Sequence, residues 1–367
     1  MASKSNDQTN PMTEFADYSE RVAKGAQVLS RIREEDVKIG ATPKTEVANF
    51  EKVRLFHYDM PDDVKVDTGP VLIVYGLIGR YTMADLQEDR SLVRNLRDRG
   101  VDLWLVDWGH PTRADRCLKI DHYVEWYLDD CVEKIREMTG HDKVTILGIC
   151  EGGVFSAIYA SRFPDKVKNL IVTITPFDFH GDMEDEDPTH GVLNLWTRSL
   201  TEEDIDNMLE AFGNLPGEIM GSVFQLMTPI RSLTKYNVDL LDAAQDEKRL
   251  LNFLRMEKWL ADRPNHPGAA ARQWLLELYK KNLLIKGEFM VSGRPVDLGA
   301  ITMPVLNVFA KNDHIIPPPC ARALKDHVGT NDYTDLELPG GHVGVYVSSK
   351  SQGIVGDGIH SWLIERN

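Results

Sequence analysis

The 367-residue sequence is short of cysteine, of basic charge and of long apolar runs, and each shortage removes a class of function. Its four cysteines, Cys117, Cys131, Cys150 and Cys320, fall in no C-x-x-C spacing. They argue against a disulfide scaffold and read as reduced thiols of a cytoplasmic protein. Lysine and arginine number 42 against 57 aspartate and glutamate, a formal net charge of -15. A nucleic-acid partner needs a clustered basic surface and is not expected. An anionic ligand would need a local basic pocket. The longest apolar stretches, such as PVLIVYGLIG, run to about ten residues, too few to span a bilayer. The opening MASKSNDQTNP is polar and lacks the apolar segment of a signal peptide. No internal repeat occurs at solenoid periods.

What is present is 42% hydrophobic sequence arranged in a rhythm. Thr13 to Glu35 has loose helical periodicity, and residues 1–50 are taken as a leader and helix. VRLFHY (53–58), PVLIVY (70–75) and VDLWLVDWG (101–109) read as strands, the last two buried. DLQEDRSLVRNLRDRG reads as an amphipathic helix stopped by Gly100. Residues 121–139 repeat apolar side chains at helical spacing and place Cys131 on the apolar face, where a free cysteine is usually core. KVTILG and VKNLIVTITP (167–176) are further strands, and MPVLNVFA (303–310) and YTDLELPGGH (333–342) restore strand character late in the chain. Strand alternating with helix implies an α/β fold with a mostly parallel central sheet. Residues 177–292 break the rhythm with helical stretches and are read as a helical cap inserted between core segments 51–176 and 293–367. The acidic run GDMEDEDP that opens the cap reads as a solvated loop.

One stretch carries chemistry. GICEGG (148–153) has the G-x-nucleophile-x-G spacing of a nucleophile elbow, with Cys150 at the apex after a buried strand and before a helix. Asp313 in NVFAKNDHIIPP and His342 in LPGGHVG each follow a strand, and nucleophile, acid, histidine is the chain order of α/β-hydrolases. Asp313 could instead cap a turn, with His314 competing, and His342 could be a packed loop residue. Together with the elbow they point to nucleophilic catalysis by a Cys150–His342–Asp313 triad. The expected oxyanion donors are the backbone N–H groups of Glu151 and of Ile78, with the Glu151 side chain turned away from the sulfur. No metal and no cofactor are expected.

The sequence resembles the polyhydroxyalkanoate synthases, in particular the class III catalytic subunit. From about residue 40 onward it carries DLQEDRSLVRNL, DWGHPTRADR, YLDDCVEKIR, GICEGG, ITPFDF and DHIIPP in order. The resemblance implies an α/β-hydrolase fold and an acyltransferase that polymerises (R)-3-hydroxyacyl-coenzyme A, with 3-hydroxybutyryl units favoured, and releases coenzyme A. Cys150 would carry the growing polyester chain and His342 would be the base. Asp313 would orient His342, activate the incoming 3-hydroxyl, or both. No amino-terminal extension of the long single-subunit classes is seen, which favours a type needing a second synthase subunit of the PhaE kind. A homodimer and a location in the cytoplasm at the granule surface are implied likewise. Two positions depart from the class III pattern: Glu151 stands where glutamine is common, and GRYTM (79–83) where NRPYM is common. The rivals are a cysteine-dependent hydrolase of thioesterase or dienelactone hydrolase type, and a non-catalytic binding or granule-coat protein.

Overall fold

The computed structural model describes residues 10–183, 191–226 and 234–367. Eight strands form the central sheet: β1 (Lys44–Phe50), β2 (Val53–Tyr58), β3 (Pro70–Val74), β4 (Asp102–Asp107), β5 (Val144–Ile149), β6 (Val167–Thr173), β7 (Val305–Ala310) and β8 (Tyr333–Leu338). Their spatial order is β1-β2-β4-β3-β5-β6-β7-β8. β1 and β2 pair antiparallel, as do β2 and β4, and the remaining neighbours are parallel. Every residue of β3, β5 and β7 is buried, which is why those strands are apolar on both faces rather than alternating.

The pleat divides these strands between two cores. Leu72, Val74, Trp104, Val106, Ile146, Leu170 and Val172 face one layer, with Tyr123, Val132 and Phe155. Val71, Ile73, Leu103, Leu105, Leu147, Ile171 and Val308 face the other, with Leu96, Ile359 and Trp362. Alternate residues of one strand therefore serve opposite helical layers.

Three local expectations change. Residues 44–50 are a strand of the central sheet, so the leader segment ends earlier than residue 50. β1 is an edge strand with no fully buried residue, and its alternation was too weak to read. The amphipathic helix expected from Asp85 begins only at Leu92. Residues Asp85–Gln87 and Arg90–Ser91 pair instead as a short hairpin. The Asp85 carboxylate is buried and accepts from Thr42 N–H (2.9 Å), Thr42 Oγ1 (2.6 Å) and Ser91 Oγ (2.7 Å), which commits that backbone to the amino-terminal segment. The first helix spans Pro11–Leu29, ending short of Glu35.

The acidic run is not wholly solvated. Asp182 is buried, accepts from Gly191 N–H at 2.8 Å and pairs with Arg198, while residues 184–188 of the run lie outside the described residues, as do 1–9 of the leader. Between β6 and β7 the described residues add no strand to the central sheet. The later part of this insertion is not peripheral. Ala271, Trp274, Leu275, Leu278, Phe289 and Val291 are buried in the same core as β5 and β6, along a segment that widens into π-type turns at Gln273–Lys280. Among the described residues, no helix is long and apolar enough to cross a membrane.

Candidate active site

Cys150 sits between β5 and the helix Glu151–Arg162 with φ +55° and ψ −121°. L-residues seldom adopt such a backbone, and it persists only where surrounding structure holds it. Here the Cys150 N–H donates to Thr173 C=O and the Cys150 C=O accepts from Gly153 N–H, both at 2.9 Å. The neighbouring glycines are required by space. A Cβ on Gly152 would stand 2.2 Å from the Val74 carbonyl oxygen, and one on Gly153 1.9 Å from Thr175 Oγ1. The elbow helix can therefore approach β3 and β6 as closely as it does only because both positions lack a side chain.

Asp313, just beyond β7, is 2% exposed. Its Oδ1 accepts from Ile315 N–H and Ile316 N–H, both 2.9 Å, and its Oδ2 from His342 Nδ1 at 2.8 Å. His342, just beyond β8, is also buried. Burial alone would pull its imidazolium down. The Asp313 charge and hydrogen bond outweigh that, Cys150 adds a hydrogen bond and a charge to the same ring, and His342 is pushed up to about 10. Since Nδ1–H is given to the carboxylate, Nε2 is the atom left for exchange with the thiol. The structure thus brings Cys150, His342 and Asp313 together. His314 stays exposed at the surface of the turn.

The other thiols are set apart. Cys131 is buried in the core and desolvation raises it far above the usual range. Cys320 is buried and pushed up to about 12, by desolvation first and then by Asp182 and Asp178. Cys117 is exposed on a surface turn.

Of the two expected oxyanion donors, one is engaged by a side chain in this structure. Glu151 is the first residue of its helix, so its N–H has no intrahelical acceptor and remains available. The Ile78 N–H is already engaged: it donates to Glu151 Oε2 at 3.1 Å, beside Leu77 N–H at 2.6 Å. The Glu151 side chain, expected to turn away from the sulfur, has Leu77, Ile78 and His266 as its hydrogen-bond partners. It is 1% exposed, and its other oxygen meets His266 Nε2 at 2.7 Å. The reason is charge: a buried carboxylate must be met by donors, and this loop and the cap supply them. His266 was not foreseen, because nothing in RPNHPG marks it and its partner lies 115 residues away.

The same loop is fixed from its other side. Arg80 donates to Asp107 through Nη1 (2.7 Å) and Nη2 (3.2 Å), and its carbonyl accepts from Trp259 Nε1 of the cap at 3.1 Å. A cleft of about 1850 Å³ leads from the surface to His342, with Phe224, Phe253, Met256, Trp259 and Arg263 of the cap in its wall.

The family model described as alpha/beta hydrolase fold matches residues 69–348. Among solved structures, a monoacylglycerol lipase from Paleococcus ferrophilus superposes with a TM-score of 0.52, 16% identity and coverage of 85% of this chain and 99% of that one, a likeness of fold alone. The chain is 41% identical over 354 residues to the poly(3-hydroxyalkanoate) polymerase subunit PhaC of Allochromatium vinosum, covering 96% of each. The chain belongs to the poly(3-hydroxyalkanoate) polymerase family. The corresponding subunit of a Synechocystis species is 42% identical, covering 96% of this chain and 92% of that one. The enzyme is thus an acyltransferase on an α/β-hydrolase fold, as its motifs implied.

Proposed function

We propose that this polymerase joins (R)-3-hydroxyacyl units, of which 3-hydroxybutyryl is the representative, from coenzyme A thioesters into polyester by way of a Cys150 thioester. The observation that carries the reading is Cys150 at a positive-φ elbow, beside a His342 whose Nδ1 is held 2.8 Å from a buried Asp313. In the loading step the Cys150 sulfur attacks the thioester carbonyl. The thiol proton rests on His342 as an imidazolium, which gives it to the departing coenzyme A sulfur, so one thioester replaces another. That exchange is nearly isoenergetic, and the acyl group stays activated. In the extension step the 3-hydroxyl of a second unit attacks the enzyme-bound acyl carbon. His342 accepts the hydroxyl proton, an oxoester forms and the Cys150 sulfur is released. Formation of an oxoester from a thioester runs downhill.

All three hydrogen bonds to Asp313 come from groups already in place, two from its own turn and one from His342. This supports the orienting role over direct contact with the incoming hydroxyl. Extension must favour an alcohol over water, which calls for a covered site. The aromatic cap residues over the cleft support that requirement. The relatives are named as subunits, which supports assembly with a second synthase subunit of the PhaE kind. A homodimer and residence at the granule surface complete the reading. No cofactor takes part, since the coenzyme A thioester is itself the substrate.

The test is incubation with 3-hydroxybutyryl-coenzyme A, with and without a candidate second subunit, following coenzyme A release and the form of the product. Polymer with stoichiometric coenzyme A is expected. Free 3-hydroxybutyrate with no polymer would replace this reading with that of a thioesterase.

A further inference from the structure

Glu151 is the elbow residue whose side chain the mechanism above leaves unused, yet it is 1% exposed. Its carboxylate is met three times. Oε2 accepts from Leu77 N–H at 2.6 Å and Ile78 N–H at 3.1 Å, and Oε1 from His266 Nε2 at 2.7 Å. An ionised carboxylate only accepts, so Nε2 carries the ring proton. The donors come from two separate parts of the fold. Leu77 and Ile78 belong to the loop after β3, from which an oxyanion donor is drawn. His266 belongs to the cap insertion, where it is 1% exposed and its N–H and C=O exchange 2.9 Å bonds with Leu215.

The loop is built around this carboxylate. A Cβ on Gly76 would stand 2.6 Å from Glu151 Cβ and 2.8 Å from Oε2, so only glycine leaves room for the side chain. The two loop bonds are unequal. The short bond from Leu77 fixes the loop, and the longer one from Ile78 is the one that can yield its N–H to the oxygen of a bound thioester.

We propose that Glu151 and His266 are a positioning pair that sets the oxyanion loop and couples its readiness to the seating of the cap. This rests on the acyl-transfer reading above. With the cap seated, His266 holds one carboxylate oxygen and thereby fixes the other against Leu77, which aims Ile78. With the cap withdrawn, the carboxylate loses its partner and the loop its register.

The experiment uses the full chain, with its second subunit where activity needs one, in wild-type form and as His266→Ala, His266→Gln, Glu151→Gln and the Glu151→Gln/His266→Ala double variant. Two rates are measured: single-turnover release of coenzyme A from 3-hydroxybutyryl-coenzyme A, and alkylation of Cys150 by iodoacetamide. Alkylation needs the sulfur but no oxyanion donor. His266→Ala and Glu151→Gln should each slow coenzyme A release by about 10- to 100-fold, short of the loss expected for deleting a donor outright. Apparent substrate affinity should change less than about twofold, and alkylation should stay at the wild-type rate. His266→Gln, which keeps a donor for Oε1, should recover most of the rate. The double variant should be no slower than the slower single one, because either change breaks the same link. Losses that multiply in the double variant, alkylation that falls in step with release, or wild-type rates throughout would each overturn the proposal. Wild-type enzyme that releases no coenzyme A would take down the acyl-transfer reading itself, and this proposal with it.

Discussion

Asp313→Asn exchanges one oxygen for an amide nitrogen and should invert the electrostatics around His342 while leaving its shape. Oδ1 receives N–H bonds from Ile315 and Ile316, both 2.9 Å, so the amide oxygen must stay on that side. The NH₂ group then faces His342 Nδ1, 2.8 Å away in the wild type, and an NH₂ can only donate. Nδ1 becomes the acceptor, and the ring proton moves to Nε2, the wrong tautomer for taking a proton from the thiol. The charge effect runs the same way. Burial lowers the imidazolium, and Asp313 with Cys150 holds it up at about 10. Without Asp313, titration should fall to the ordinary value near 6.5 or below it. Because the folded value lies above the unfolded one, the stabilisation is complete below about pH 6.5 and is lost as pH rises through about 10. At 1.36 kcal/mol per unit, the distance from 6.5 to about 10 sets a ceiling of about 5 kcal/mol, part of it shared with Cys150. Urea unfolding midpoints of wild type and variant, measured from pH 6 to pH 10, should differ most at pH 6 and converge toward pH 10. Coenzyme A release should fall by roughly 10²- to 10⁴-fold, the larger figure being the cost of the wrong tautomer in serine proteases. A stability gap that is constant with pH, or widens in alkali, would refute the assignment of Asp313 as the group that holds His342 charged.

Cys150→Ala should abolish coenzyme A release, whereas Cys117→Ala, Cys131→Ala and Cys320→Ala should retain it; a fully active Cys150→Ala protein would remove the nucleophile. His342→Gln should slow acylation by roughly 10²-fold or more, measured in a single turnover, and a near-normal rate would point to another base. Gly152→Ala should lose about 3 kcal/mol or more of stability or fail to accumulate, since its Cβ would meet the β3 backbone at 2.2 Å and backbone cannot step aside. Gly353→Ala, in the last helix with nothing within 4 Å of its added Cβ, should instead gain up to about 1 kcal/mol in thermal unfolding, and equal effects at the two glycines would refute the packing argument.

The parts of the fold that were legible are those where burial is complete. β3, β5 and β7 have every residue buried, so their sequences are mostly apolar runs of five or six residues, too short for a buried helix. β1 escaped because a half-exposed edge strand keeps few of the constraints that make a period visible. Residues 85–91 escaped for a different reason. Leu86, Leu92, Val93 and Leu96 have helical spacing, and all four are buried. Pattern alone could not tell that Asp85 would be drawn into bonds with Thr42, 43 residues earlier, and hold the backbone out of the helix.

The site divides along the same line. Cys150, Asp313 and His342 were legible because each follows a strand of the parallel part of the sheet, and the sheet order carries such positions to one edge without help from any distant side chain. Glu151 was legible as a backbone group and not as a side chain. Its helix position fixes the free N–H, since the first residue of any helix has one. Its carboxylate is governed by a histidine 115 residues away in the insertion, whose own place depends on how the cap packs. A glutamine at that position keeps one acceptor oxygen for the loop but puts an NH₂ where His266 donates, so the link to the cap is broken. A buried glutamate keeps that link, because its charge requires a donor such as His266 to stay within reach. The departure at Glu151 therefore changes what the insertion must do: besides covering the cleft, it must supply the partner that lets a charged residue stand beside the nucleophile.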